Sequence, residues 1–252
     1  MGLAGHFDAY FGLECVVKAV ILAGGRGTRL APFTYVLPKP MMPIGDRAIL
    51  EILLRQMKRA GINHIVLTVG HLSGLMQAFF QDGAQWDLDI TYSFEAKPLG
   101  TAGPLALVPN LDKTFMVSNG DVLTLLNFND FLNFHREQGG ICTIAMHERQ
   151  VHIDLGVIEQ NNGEHLITGY VEKPTLQYRV SMGIYIFEPR VLDYIPNNEY
   201  LDFPDLVKIL LANGERVVGY PYSGYWRDLG NHEDYTQACL DFEQMRSQFL
   251  PE

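Results

Sequence analysis

Residues 16–30 read VVKAVILAGGRGTRL, and they set the expectation for the whole architecture. The first seven residues are apolar or β-branched apart from one lysine, a pattern typical of a strand buried in a parallel sheet. The strand runs directly into the glycine-rich segment 23–27, whose backbone can approach a ligand closely and point N–H groups at it. Arg26 and Arg29 add positive charge to this turn. The stretch therefore indicates an α/β protein with a phosphate site after its first strand.

The glycine-rich turn matches neither of two widespread phosphate-binding motifs. A P-loop needs Gly-Lys-Ser/Thr at a fixed spacing, and the sequence lacks it. A dinucleotide fingerprint needs a third glycine where Leu30 stands, and an acidic residue at the end of the second strand, where Val69, Gly70 and His71 stand. A dinucleotide-dependent oxidoreductase is therefore a weak alternative.

Downstream of this turn, runs of β-branched residues alternate with helical periodicities. Residues 155–159 and 165–171 flank a Gly/Asn turn, which predicts an antiparallel hairpin. We predict further strands at residues 62–69, 88–94, 114–118, 141–146, 181–187 and 216–220. We predict helices at residues 47–60, 73–81, 128–138, 203–212 and 233–249.

This order of elements predicts an α/β fold class, with one Rossmann-like domain that has a mixed, mostly parallel sheet and an inserted antiparallel portion. We expect that domain to cover residues 16–252, with no further module. Residues 1–15 form an N-terminal extension, either flexible or ordered. Such sheets bind ligands beyond the carboxyl ends of their strands, where the glycine-rich turn and Asp121 both fall.

The composition excludes several classes of protein. Of the 252 residues, 47% are hydrophobic, which is too many for a disordered chain. The formal charge of −10 argues against a nucleic-acid partner, which needs a basic face. No apolar run approaches the roughly 20 residues of a membrane helix, so we expect no membrane partner. Cys15, Cys142 and Cys239 are too few and too scattered for a disulfide framework, which favours a cytoplasmic location.

Several short motifs follow the glycine-rich turn in a set order. They are Leu37-Pro38-Lys39-Pro40, PLGTAG at 98–103, Asn119-Gly120-Asp121, Val171-Glu172-Lys173-Pro174 and YWRDLG at 225–230. Together with LAGGRGTRL, this series resembles the signature of the sugar-1-phosphate nucleotidyltransferases over nearly the whole chain. Residues 98–107 (PLGTAGPLAL) are most similar to the mannose-1-phosphate and heptose-1-phosphate guanylyltransferases of that family.

The resemblance implies the nucleotide-diphospho-sugar transferase fold and one kind of reaction. A sugar-1-phosphate oxygen would attack the α-phosphorus of an NTP, giving an NDP-sugar and pyrophosphate. GTP is favoured, because thymidylyl and uridylyl relatives commonly carry glutamine where Glu95 stands, while UTP, dTTP, CTP and ATP stay open. A hexose, a heptose and a cyclitol stay open on the sugar side, because Ser181-Met182-Gly183 departs from the Asn-x-Gly of mannose enzymes.

The resemblance also implies roles for residues of this chain. Arg29 and Lys39 would be catalytic and contact the phosphates. Asp121 and Asp228 would hold Mg²⁺, a hard cation that prefers oxygen ligands. The nucleotide-binding set would be Ala23, Gly24, Gly25, Gly27, Glu95, Gly100 and Thr101. The set that binds the sugar phosphate would be Asp121, Gly156, Glu172, Lys173 and Ser181.

The residues themselves leave some alternatives open. Glu95 also suits a surface carboxylate beside Lys97, and Glu172 with Lys173 also suits an exposed pair of opposite charges. A non-catalytic regulatory protein that binds nucleotide-sugars is the alternative from another class. The presence of both catalytic and both metal-binding residues favours an enzyme. A homo-oligomer stays open.

Overall fold

The computed structural model describes residues 17–161, 163 and 165–251. The predicted N-terminal extension, and Asn162 and Glu164 of the predicted hairpin turn, lie outside the described residues. The strands are β1 Lys18–Leu22, β2 Pro43–Ile44, β3 Arg47–Ala48, β4 His64–Val69, β5 Asp89–Phe94, β6 Phe115–Asn119, β7 Val122–Thr124, β8 Cys142–His152, β9 Val157–Gln160, β10 Ile167–Val171, β11 Thr175–Phe187, β12 Val217–Tyr222 and β13 Trp226–Asp228. The α-helices are α1 Ile49–Arg59, α2 Ser73–Phe80, α3 Phe128–Gln138, α4 Phe203–Ala212 and α5 His232–Phe249.

A seven-stranded sheet forms the centre of the molecule, in the order β12-β8-β11-β6-β1-β4-β5. β1 pairs in parallel with β4 and β6, β4 pairs in parallel with β5, and β12 pairs in parallel with β8. β11 alone runs against its neighbours β6 and β8. A separate two-stranded antiparallel pair joins β9 and β10. These pairings confirm the predicted mixed, mostly parallel sheet with an antiparallel portion.

The predicted element boundaries were wrong in several places. Residues 141–146 and 181–187 are parts of longer strands, because β8 and β11 pair from Cys142 with Phe187 to His152 with Thr175. The predicted helix 47–60 begins at Ile49, because β3 pairs with β2 just before it. β7 and β13 were missed, since three-residue strands carry almost no periodicity.

Both faces of the sheet are covered, which explains the near-continuous apolar strands. On one face, Ala19 and Ile21 of β1 pack in the same cluster as residues of α1, α2 and α3. On the other, Val20 packs with Phe203 of α4 and with a short 3₁₀ helix at Gly103–Leu107. A third cluster joins α5 to α1 and β7 through Phe242 and its neighbours.

Local sequence signals account for several helix starts. The side chain of Asn127 accepts hydrogen bonds from the N–H groups of Asn129 and Asp130 at the start of α3, and Asn231 caps α5 in the same way. No helix of the described residues is long and apolar enough to cross a bilayer. The parallel strands β1, β4, β5 and β6 all end at one edge of the sheet, and that edge carries the candidate site.

Candidate active site

A cleft of about 770 Å³ opens beyond the carboxyl ends of β1, β4, β5 and β6. Its walls include Leu22 and Thr68 from strand ends, and the turns that follow those strands. Most of the residues predicted to be catalytic, or to bind nucleotide or metal, line it together. They are Ala23, Gly24, Gly25, Gly27, Arg29, Lys39, Glu95, Gly100, Thr101 and Asp121. The fold thus brings distant segments of the chain into one concave site.

The three loop glycines are required for different reasons. A Cβ at Gly24 would collide with the carboxylate of Glu95, so this glycine makes room for a side chain of the protein itself. Gly27 has φ of 60°, a left-handed conformation that L-residues avoid. A Cβ at Gly25 would meet no heavy atom of the described residues within 4 Å, apart from its chain neighbours. Gly25 is therefore the glycine that leaves open space for a ligand.

Lys39 joins the two carboxylates that were predicted to bind metal. Its Nζ forms an ion pair with Asp121, and lies 4.0 Å from Oδ1 of Asp228. Lys39 opens a short 3₁₀ helix directly after Pro38, and its side chain is 11% exposed. The lysine is thus held in place beside both acids.

Strand pairing explains why the two carboxylates meet. β13 pairs antiparallel with β7, so that Asp228 lies opposite Val122, the residue after Asp121. The backbone N–H of Leu229 also donates to the Asp121 carbonyl at 3.3 Å. Two segments from distant parts of the sequence therefore place their aspartates side by side.

Acidic and basic neighbours act in opposite directions on the pKa of Asp228. Partial burial and the negative charge of Asp121 raise the pKa of the Asp228 carboxyl, and the charges of Lys39 and Arg29 oppose that rise. A side chain at Gly230 would approach both the Arg29 guanidinium and the Asp228 carboxylate, so these two groups lie near one another. The end of the cleft therefore concentrates cations around a pair of acids.

This donor set fits a magnesium ion that is shared with a ligand. Among the described residues, no group of three or more His, Cys, Asp or Glu side chains is arranged to hold a metal. Mg²⁺ is usually bound through one or two carboxylates, with waters and phosphate oxygens completing its octahedron. Asp121 and Asp228 supply that number of carboxylates, so the residues present fit the predicted ion.

Glu95 lies at the opposite end of the cleft, directly after β5. Its N–H donates to the Val69 carbonyl, and its Oε2 accepts from the N–H of Leu99 at 3.1 Å. A side chain at Gly70 would come within 2.9 Å of its Oε1. Glu95 is therefore built into the cleft wall, which distinguishes it from a solvated surface carboxylate.

Thr101 uses its polar groups for the protein itself. Its N–H and hydroxyl donate to Oδ1 of Asp202 at 2.9 and 3.0 Å, and the hydroxyl accepts from the N–H of Phe203 at 2.8 Å. The hydroxyl thereby caps the start of α4 from outside the helix. Thr101 lines the cleft, but its role in this structure is to tie two segments together.

The residues predicted to bind the sugar phosphate, apart from Asp121, are absent from the described lining of the cleft. Gly156 lies against the Tyr170 side chain, and the Tyr170 hydroxyl donates to Glu172 at 3.0 Å. Lys173 is exposed, with φ of 44°. Gly156, Glu172 and Lys173 lie directly beside the antiparallel pair β9–β10. The structure therefore groups these three residues with each other rather than with Lys39.

Ser181 has a structural partner at an irregularity in β11. Its Oγ donates to the Tyr185 hydroxyl at 3.0 Å and accepts from the N–H of Gly183 at 3.2 Å. The pairing of β11 with β8 shifts register between Ser181 and Tyr185, which marks a bulge in the strand.

Sequence reasoning missed several residues of the cleft, among them one asparagine, one tyrosine and one aspartate. Asn119, Tyr200 and Asp202 line it. Asp202 precedes Phe203-Pro204 and reads as an ordinary helix N-cap, although its side chain makes no such hydrogen bond. Of these three residues, only Asn119 carried a signal in the sequence that could have identified it, because it belongs to the Asn119-Gly120-Asp121 motif at a strand end.

Comparisons with known proteins identify the family of this chain. A model of the nucleotidyl transferase family matches residues 18–245. A UTP–glucose-1-phosphate uridylyltransferase of Synechocystis sp. is 36% identical, and the match covers 88% of this chain and 62% of that protein. A mannose-1-phosphate guanyltransferase of Schizosaccharomyces pombe is also 36% identical, over 91% of this chain and 66% of that protein. The chain thus spans less than two thirds of the length of either relative.

Solved structures share the fold. One of a putative glucose-1-phosphate thymidylyltransferase from Bacillus anthracis superposes with a TM-score of 0.74, covering 92% of this chain and 98% of that one at 24% identity. HddC from Yersinia pseudotuberculosis superposes with a TM-score of 0.69, covering 90% and 99% at 24% identity. These likenesses confirm the predicted fold class.

Proposed function

This chain belongs to the nucleotidyl transferase family, and from that membership we propose that it is a sugar-1-phosphate nucleotidyltransferase. It would transfer a nucleotidyl group from an NTP to a sugar-1-phosphate and release pyrophosphate. The observation that carries the proposal is the contact of Lys39 with Asp121 and Asp228, beside Arg29, at one end of a cleft.

The proposed reaction needs positioning and charge more than proton transfer. The attacking sugar phosphate is already an anion, so no general base has to remove a proton from it. The protein must instead hold two anions in line and offset the charge that grows on the transferred group and on the leaving group. A cleft that gathers cations within an acidic protein supports that requirement.

Each residue has a task in this scheme. The planar guanidinium of Arg29 would bind triphosphate oxygens in a bidentate manner. Lys39 would turn from Asp121 to the α-phosphate once ligands arrive. Asp121 and Asp228 would hold Mg²⁺, which when bound supplies positive charge to the phosphate oxygens. The backbone of Gly25 would lie closest to the nucleotide.

We favour GTP as the nucleotide. The carboxylate of Glu95, fixed in the cleft wall, would accept hydrogen bonds from the ring N–H and exocyclic amine that guanine offers on one edge. One relative is named for GTP and mannose-1-phosphate, and another for UTP and glucose-1-phosphate, so UTP is the main competitor. The other nucleotides stay open, as does the choice among hexose, heptose and cyclitol.

Most of the residues that we propose for binding the sugar-1-phosphate are not among those that line the cleft. Gly156, Glu172, Lys173 and Ser181 would bind this substrate, with Asp121 on the cleft side. The antiparallel pair β9–β10 would have to approach Lys39 for that. We further propose a cytoplasmic enzyme, in keeping with the free thiols of Cys142 and Cys239.

Pyrophosphate release tests the proposal directly. The protein is incubated with Mg²⁺, each of five NTPs and a panel of sugar-1-phosphates, and release is measured for every pair. We expect turnover with GTP and a hexose- or heptose-1-phosphate. Turnover with UTP but not GTP would contradict the assignment of the base. NTP binding without any turnover would instead favour the non-catalytic regulatory protein.

A further inference from the structure

A second segment, residues 199–203, also contributes to the wall of the cleft and carries an exposed aromatic ring. Tyr200 lines the cleft and is 63% exposed. Single exposed aromatic side chains are common on protein surfaces and need no explanation by themselves. Tyr200 differs from them because it lines the cleft and its hydroxyl is anchored to another residue of the cleft wall.

The anchor is the carboxylate of Asp202. The Tyr200 hydroxyl donates to Oδ2 at 2.5 Å, while Oδ1 accepts both hydrogen bonds from Thr101. Partial burial raises the pKa of Asp202, but the hydrogen bonds from Tyr200 and Thr101 outweigh it and hold that pKa below its ordinary value. The carboxylate therefore stays charged at neutral pH and is occupied by three donors.

The backbone fixes the same segment to the 98–103 loop. The N–H groups of Ala102 and Gly103 donate to the Leu201 carbonyl at 2.9 and 3.0 Å, and the Leu201 N–H donates to Leu99 at 3.0 Å. Gly100 has φ of 79°, and a side chain there would meet Leu201 and Asp202. Residues 199–203 and the loop are therefore joined by backbone hydrogen bonds into one wall of the cleft.

A ring held in this way suits one kind of ligand group. Arg29 and Lys39 lie at the end of the cleft near Asp121, which we take as the phosphate end. The end around Glu95 has Tyr200, prolines, Lys97, and carboxylates that already accept hydrogen bonds from N–H and O–H donors. A nucleobase presents a flat π-face to such a ring, and stacking is possible for every base because all of them have that face.

We propose that Tyr200 stacks on the nucleobase and that Asp202 is a positioning residue that orients the Tyr200 ring. This inference rests on the proposed function, because it requires an NTP in the cleft. It adds a contact that does not depend on which base is bound, unlike the contact proposed for Glu95.

Nucleotide binding without turnover tests the ring. Isothermal titration with GTP and with UTP is carried out in the absence of sugar-1-phosphate. Tyr200→Leu should weaken the Kd for both nucleotides about tenfold, the order expected for loss of one base-stacking contact. Inorganic tripolyphosphate, which lacks a base, should bind the variant and the unaltered chain equally. Tyr178→Leu, at a similarly exposed tyrosine of β11, should change nothing.

Separate variants test whether Asp202 positions the Tyr200 ring. Tyr200→Phe and Asp202→Asn should each weaken GTP binding about threefold, because the ring remains but loses its anchor. The double variant should be no weaker than Asp202→Asn alone, since both changes remove the same charge-assisted hydrogen bond between the hydroxyl and the carboxylate. In turnover assays, the KM for the NTP should rise while kcat and the KM for the sugar phosphate stay unchanged.

Three outcomes would overturn the inference. One is a folded Tyr200→Leu protein that binds GTP as tightly as the unaltered chain. Another is an equal loss of tripolyphosphate binding, which would assign the effect to the phosphate end. Fully additive losses from Tyr200→Phe and Asp202→Asn would remove the positioning role. If the unaltered chain bound no NTP at all, the proposed function would fail together with this inference.

Discussion

At the scale of single residues, the cleft is organised around groups that satisfy one another before any ligand binds. Lys39 offsets the charge of Asp121, and Glu95 fills the space that Gly24 leaves empty. In the proposed function, Glu95 keeps this position when a nucleotide binds, whereas Lys39 exchanges Asp121 for a phosphate. Gly25 differs from these residues, because the space around it is open.

The open space at Gly25 predicts a variant that folds but binds poorly. Gly25→Ala should change the free energy of unfolding by less than about 0.5 kcal/mol, since nothing in the protein opposes the new methyl group. NTP binding should weaken at least tenfold, because that methyl group occupies ligand space. Urea denaturation and titration calorimetry measure the two effects.

Two other glycines serve as controls for this variant. Gly74→Ala also adds a methyl group in open space, but in α2 and away from the cleft, so NTP binding should be unchanged. Gly24→Ala should displace Glu95 and also weaken binding. Normal NTP affinity in a folded Gly25→Ala protein would contradict our assignment of the ligand space.

The carboxylate of Asp121 should be required for metal-dependent turnover. Asp121→Asn removes one of the two acids that fit Mg²⁺, so kcat should fall at least a hundredfold while the circular dichroism spectrum is retained. Asp112→Asn, at an exposed aspartate outside the cleft, is the matched control and should be fully active. Near-normal activity of Asp121→Asn would remove this residue from the metal site.

At the scale of elements, the cleft depends on contacts between segments that are distant in sequence. α4 begins with an N–H that is capped by the Thr101 hydroxyl, because its own N-cap residue, Asp202, directs its carboxylate to Thr101 and Tyr200. Formation of this helix is therefore coupled to the order of the loop that closes the cleft.

This coupling predicts a loss of stability from an isosteric change. Thr101→Val removes the hydroxyl, leaving the Phe203 N–H without its acceptor and Asp202 with one donor fewer. The free energy of unfolding should fall by about 1–2 kcal/mol, seen as a lower urea midpoint with an unchanged m-value. Thr101→Ser keeps the hydroxyl and should restore most of that loss. Equal stability of the valine and serine variants would show that the cap contributes nothing.

At the scale of the whole molecule, an acidic protein concentrates cations at one edge of its sheet. The net charge is −10, yet Arg26, Arg29 and Lys39 all line the cleft. The cleft therefore gathers cationic side chains beside its carboxylates, in keeping with the proposed binding of anionic substrates.

Ligand binding in the cleft at this edge of the sheet should raise the free energy of unfolding of the whole fold. With Mg²⁺ and GTP at about a hundred times the Kd, binding adds about 2.7 kcal/mol to the free energy of unfolding. The thermal midpoint should therefore rise by about 5–10 °C. Addition of EDTA should remove most of that increase. Asp121→Asn should show little magnesium-dependent increase at the same concentrations, measured by differential scanning fluorimetry. A midpoint unaffected by the nucleotide would contradict the proposed binding in the cleft.

Local patterns in the sequence were enough to predict the central elements and much of the cleft. The apolar run before the glycine-rich turn predicts β1, and strand–helix alternation predicts the mixed sheet, because burial and periodicity act within a few residues of one another. The ordered motifs pointed to Arg29, Lys39, Glu95 and Asp121. All four line one cleft.

The contacts that bring distant groups together could be seen only in the folded chain. β7 and β13 are too short to show a period, yet their pairing sets Asp228 beside Asp121. Tyr200 and Asp202 read as a loop tyrosine and a helix cap, until the backbone hydrogen bonds of Leu201 place them on the cleft wall. The physical reason is that such contacts join segments far apart in the chain, and their free energy comes from packing and hydrogen bonds that no local pattern encodes.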